Sequence, residues 1–169
     1  MKDLVVNKVA DSALVTLDLA SYYPHKEQLI LFDIKPFLFM ELILREKDFR
    51  EALKEHDWTK YSRKFVGVTC STDAIIPVWA YMLAAIHLEP VALGVFMVSE
   101  VELPNAVLLH NIRAINADYF AEKRIVVKGC GELPISETAN LEIANKLRGV
   151  AKSIMYGEPC ITVQKKKKK

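Results

Sequence analysis

Cysteine is scarce in this chain: three residues, at positions 70, 130 and 160, an odd and scattered set that excludes a disulfide framework. Six glycines leave no room for a Gly/Ser linker or a low-complexity segment apart from the terminal lysines. The first twenty residues lack the apolar centre of a signal peptide, because Lys2, Asp3, Lys8, Asp11 and Asp18 interrupt them. The longest uncharged stretch, Ala74 to Leu88, is shorter than the roughly 18 residues that a membrane span requires. A surplus of positive charge is also missing. The 23 basic and 21 acidic residues include Lys165 to Lys169, and setting those five aside leaves 18 against 21. The body is weakly acidic, which argues against nucleic acid as a partner. The expectation is a cytoplasmic protein with no membrane contact, whose thiols are free, metal-bound or catalytic.

Several reaction signatures are absent as well. There is no Gly-x-x-x-x-Gly-Lys-Ser/Thr loop, no Cys-x-x-Cys, no His-Glu-x-x-His and no Gly-x-Ser-x-Gly. Gly129-Cys130-Gly131 continues into Glu132, Leu133 and Pro134, so the third glycine of a dinucleotide fingerprint is missing.

What is present is a folding composition, 51% hydrophobic and 26% charged. No internal repeat is apparent. Short β-branched runs alternate with longer helical patterns. Strands are expected at 13–19, 27–34, 64–69, 91–98, 124–128 and 153–156, with helices at 36–54, 73–88, 105–115 and 136–151. Pro36 and Pro77 suit first helical turns, where no N–H bond is lost. Strands alternating with helices of this length indicate βαβ crossovers. The expected fold is α/β: a single domain over 1–160, a mostly parallel sheet with helices on both faces, and an antiparallel N-terminal strand pair. Residues 161–169 are expected to form a disordered C-terminal tail ending in five lysines.

On this reading each cysteine follows the C-terminal end of a strand. Cys70 lies in Thr-Cys-Ser-Thr-Asp, Cys130 in Lys-Gly-Cys-Gly-Glu and Cys160 in Tyr-Gly-Glu-Pro-Cys. That rim is where parallel sheets bind ligands, and an order of 91–98, 64–69, 124–128, 153–156 gathers all three there. Ser71, Thr72 or Asp73 is expected to cap the next helix, whose dipole favours a Cys70 thiolate as a ligand or nucleophile. A fourth metal ligand is available from Asp73, Glu132 or Glu158, whereas His25, His56 and His87 precede strands and His110 is inside a helix. The plain alternative is that the cysteines pack as small apolar residues. Trp79 and Tyr81 read as core, and His56-Asp57-Trp58 as a helix end with an Asx turn.

Arg45–Arg50, His56-Asp57-Trp58, Thr69–Ala74, Lys128–Gly131, Ala151–Met155 and Gly157–Cys160 resemble a bacterial family catalogued only as a domain of unknown function, DUF2480-like, along nearly the whole chain. The resemblance implies a cytoplasmic protein associated with genes for iron–sulfur cluster assembly, with assembly proteins as partners. It supplies no activity or catalytic residue. Three functions follow in order. The first is a metal- or iron–sulfur-binding accessory protein with Cys70, Cys130 and Cys160 holding zinc, iron or a cluster. The second is a sulfur-transfer enzyme with Cys70 as nucleophile, and the third a non-enzymatic interaction module.

Overall fold

The computed structural model describes residues 14–129, 131–157 and 162–165. Among the described residues seven strands form two sheets, not one. β1 (Leu14–Asp18), β5 (Arg124–Lys128), β6 (Ser153–Tyr156) and β7 (Thr162–Lys165) lie side by side in that order; β2 (Leu29–Asp33), β3 (Phe65–Thr69) and β4 (Gly94–Phe96) make the second sheet. All pairings are parallel except β6 with β7. The helices are α1 (Glu46–Glu55), α2 (Val78–Leu88), α3 (Leu103–Ala114) and α4 (Glu137–Leu147).

The expected antiparallel N-terminal pair does not form. β1 pairs with β5 and β2 with β3, because each supplies an outer partner to a strand buried on both faces. Phe65 to Val68 are all buried, as are Ile125 to Val127, so both runs need neighbours on either side. The expected strand order fails for the same reason, since β3 and β5 are central strands of different sheets. The long helix from Pro36 is also replaced. Lys35–Phe37 is a short 3-10 turn, a left-handed turn at Met40 and Glu41 follows (φ 51° and 58°), and α1 begins only at Glu46. The expected tail begins with a strand, β7.

The chain forms two compact units. One, here the inserted unit, is continuous over Pro24–Val107; the other, the split unit, comprises residues 1–23 and Leu108–Lys169. In the inserted unit Phe49 and Leu53 of α1 and Ala80, Ala84 and Leu88 of α2 pack on Phe32, Val66 and Val68. The opposite sheet face, with Phe65, meets Leu103 and Val107. Gly67 makes that approach possible, because a Cβ there would lie 2.8 Å from Leu31 Cδ2 and 3.4 Å from Leu103 Cδ2. In the split unit Leu17, Ile125, Val127 and Ile154 meet Leu108 and Ile112 of α3 and Ala139, Ile143 and Leu147 of α4.

The two units are the same device built twice. Each runs strand, 3-10 turn, helix, 3-10 turn, strand, helix, strand, with its strands in parallel sequence order: β2-β3-β4 and β1-β5-β6. A constant step of 59 residues relates them from Asp57 and Asn116 to Met97 and Tyr156. Asp57 and Asn116 accept from the amides of Thr59 and Asp118 in matching turns. Arg63 and Glu122 both adopt left-handed backbone (φ 58° and 56°), and their amides donate to Val91 and Val150. The buried residues of α2 and α4 are related by the same step. The inserted unit occupies the β1-to-α3 connection of the other copy.

Candidate functional site

Of the three cysteines only Cys70 falls within the described residues; Cys130, Glu158 and Cys160 lie outside them. Cys70 follows β3, is half-buried, and packs on the inserted unit's core, as do Trp79 and Tyr81. Burial pushes the Tyr81 phenol above its ordinary pKa, and negative charge on Cys70 adds to the shift. The expected helix cap is absent. α2 starts at Val78 with Pro77 at its N-cap position, so Ser71, Thr72 and Asp73 do not cap it. The dipole argument for an activated Cys70 falls with the cap.

Ser71 has another task, which sequence reasoning missed. Its hydroxyl donates to Asp33 Oδ2 at 2.5 Å and its amide to Asp33 Oδ1 at 3.0 Å, while the Lys35 amide donates to Oδ1 at 2.9 Å. Burial pushes the Asp33 carboxyl up, but these donors and the Lys35 charge outweigh it and hold the group below its ordinary range. This clasp ties the end of β2 to the loop after β3. The available signal was the strand-terminal Asp in Leu-Val-Thr-Leu-Asp and Leu-Ile-Leu-Phe-Asp.

The corresponding edge of the split unit holds a different chemistry. Asp18 ends β1 as Asp33 ends β2, and its Oδ1 accepts from the Ala20 amide at 3.0 Å. β5 is the central strand, with Asp18 opposite Lys128 on one side and Tyr156 opposite Val127 on the other. The chain therefore leaves β5 toward Cys130 and β6 toward Cys160 from adjacent parallel strands, next to a carboxylate. The step of 59 residues matches Ser71, the clasp donor, with Cys130.

Beside that edge a cavity of about 470 Å³ opens over α4, β6 and β7, lined by Val127, Asn140, Leu141, Met155, Tyr156 and Val163 among others. The buried Oδ1 of Asn140 has no hydrogen-bond partner among the described residues, and its Nδ2 donates to the Ser136 carbonyl. A Cβ at Gly129 would come within 3.5 Å of that oxygen, so it faces the root of the Cys130 loop. Glu132 is exposed, and Asp73 belongs to the inserted unit. Among the described residues no three His, Cys, Asp or Glu side chains are grouped to hold a metal ion. No helix among them is long and apolar enough to cross a membrane.

His56-Asp57-Trp58 forms the expected helix end and Asx turn, Asp57 Oδ1 accepting from the Thr59 amide at 2.9 Å. His56 and Trp58 join an aromatic cluster with Phe32, Phe37 and Tyr61, and the Trp58 ring stacks on His87 at 5.1 Å. Two of the four histidines are thus engaged in packing.

Residues 3–168 match the family described as "Protein of unknown function (DUF2480)". No curated protein and no solved structure matches the chain.

Proposed function

The chain belongs to the DUF2480 family of unknown function, and we propose that it is a metal- or iron–sulfur-binding accessory protein. Its centre is the C-terminal edge of the split unit's sheet, with Cys130 and Cys160 as thiolate ligands and Asp18 as the nearby carboxylate. Cys70 has no part in it. The observation carrying this reading is strand adjacency: β1, β5 and β6 end side by side, and Asp18 and the chain toward both cysteines leave that edge. Two thiolates and a carboxylate suit zinc or ferrous iron, and leave a coordination position for sulfide or a partner's ligand. The neighbouring cavity is walled largely by apolar side chains, and such a shell tunes a metal centre. Proteins of iron–sulfur assembly are the partners this reading assigns, in a cytoplasmic setting.

Anaerobic purification followed by zinc, iron and sulfide analysis tests it, with each cysteine changed to serine in turn. Cys130→Ser and Cys160→Ser are each expected to abolish stoichiometric metal, and Cys70→Ser to leave it unchanged. Wild-type protein that takes up neither zinc nor iron overturns the reading. So does equal loss in all three variants.

A further inference from the structure

An amphipathic helix on a sheet normally turns charged and polar side chains outward. α2 does not. Val78, Met82 and Ile86 form an i, i+4, i+8 stripe on its outer side, 74%, 61% and 67% exposed, and Ile75 just before the helix is 94% exposed. No Asp, Glu, Lys or Arg occurs from Ala74 to Leu88. The repeat provides an internal control, because α4 occupies the same place in the split unit. There the residues at these three positions are Glu137, Leu141 and Asn145, so the architecture itself does not require an apolar outer face. A notch of about 500 Å³ continues the surface beyond the helix start, lined by Leu42, Ile43, Ile75 and Pro77 with Asp73 at its side.

We infer that this face is the interface of a homodimer, in which α2 packs against α2 of a second copy. Two properties point to a second copy of the chain. The first is charge. The stripe of Val78, Met82 and Ile86 carries no formal charge and meets its own image with no like-charge repulsion, Asp73 lying at the notch beyond the helix start. The second is size. Leu42, Ile43, Ile75, Val78, Met82 and Ile86 together offer on the order of 700 Å² of apolar surface, close to the roughly 800 Å² that each partner gives to a standard interface. That exceeds the largest apolar patch of a typical monomer, about 300–600 Å². The i±4 stripe defines the geometry: ridges of this kind interlock at about −50° between helices. A two-fold axis then passes near Met82, with Val78 of one copy toward Ile86 of the other and Ile75 extending the contact at both ends. The inference is independent of the cysteine centre, which lies in the other unit.

Sedimentation equilibrium of the full chain across micromolar concentrations tests it. The expected species has twice the 19.2 kDa chain mass. The double variant Val78→Glu/Ile86→Glu should dissociate at least ~100-fold more readily, as hot-spot losses in an apolar centre do. Because both positions are exposed, its circular dichroism should match wild type, and its melting temperature should lose the concentration dependence that dimerisation gives wild type. With the three native cysteines changed to serine, Met82→Cys should oxidise to a covalent dimer and Leu141→Cys, its counterpart in α4, should not. A wild-type monomer overturns the inference, whether the face is bare or covered by its own chain. A double variant that remains dimeric overturns it too, as does equal cross-linking through positions 82 and 141.

Discussion

Asp33 shows how much of a loop a single residue can hold. Its carboxylate accepts three hydrogen bonds, two of them from Ser71, and so fixes the loop that carries Cys70. Asp33→Ala should cost about 1–2 kcal/mol in urea unfolding at neutral pH, the usual range for losing a cap or a charge-assisted bond. The folded-state carboxyl is held below its unfolded value of about 3.9, so this stabilisation is present above that pH and is lost as the pH falls through the folded value. The difference between wild type and Asp33→Ala should therefore shrink from pH 7 to pH 3. An unchanged difference contradicts the clasp. The strand-ending aspartates were visible in the sequence, but their role was not, because Ser71 stands 38 positions away from Asp33. A local pattern offers Asp73 as a cap. The actual partner of the loop is set by which strand lies next to β3.

At the scale of elements, strands and helices were legible where one periodicity ran without interruption. β5 and β6 lie at the expected residues, and α4 begins one residue after its expected start, with Ser136 as its cap. The long helix expected from Pro36 failed because three-to-four spacing at Leu38, Leu42 and Phe49 arises from two separate pieces. Leu38 and Phe37 pack on the core from a 3-10 turn, and Phe49 does so from α1. The end of α1 is locked by rings: His56 Nε2 lies 3.3 Å from the Tyr61 hydroxyl, and Trp58 Nε1 donates to the Leu53 carbonyl at 3.0 Å. Burial holds the His56 pKa below its ordinary value, helped by the Lys60 charge and opposed by Asp57. Burial likewise pushes the Tyr61 phenol up to about 12. A histidine whose folded pKa is depressed stabilises the fold above about pH 6.5, and this contribution fades as the pH drops below that value. Urea midpoints should fall more between pH 7 and pH 5 in wild type than in His56→Gln; parallel curves would show that the buried neutral ring carries no such linkage.

For the whole molecule, α/β alternation was readable and the division into two units was not. The repeat is kept in burial and backbone and has nearly vanished from residue identity. α2 and α4 share only Ala80 with Ala139, Ala85 with Ala144 and Leu88 with Leu147, while Phe-Val-Gly-Val-Thr of β3 matches Arg-Ile-Val-Val-Lys of β5. Placing one unit inside a connection of the other also makes strand partners remote: Leu14 pairs with Arg124. Short-range spacing cannot encode such a pairing, so a single rim was expected where two separate sheet edges exist. Along the chain, Cys70 follows β3 of the inserted unit, whereas Cys130 and Cys160 follow the adjacent strands β5 and β6 of the split unit. The most direct measurement is cross-linking of the metal-free protein with a short bis-maleimide, read by mass spectrometry of the joined peptides. Abundant Cys130–Cys160 links, with Cys70 modified singly, is the result expected. Cys70 joined to either of the others at comparable yield, or no link between positions 130 and 160, would contradict a two-cysteine centre on the split unit.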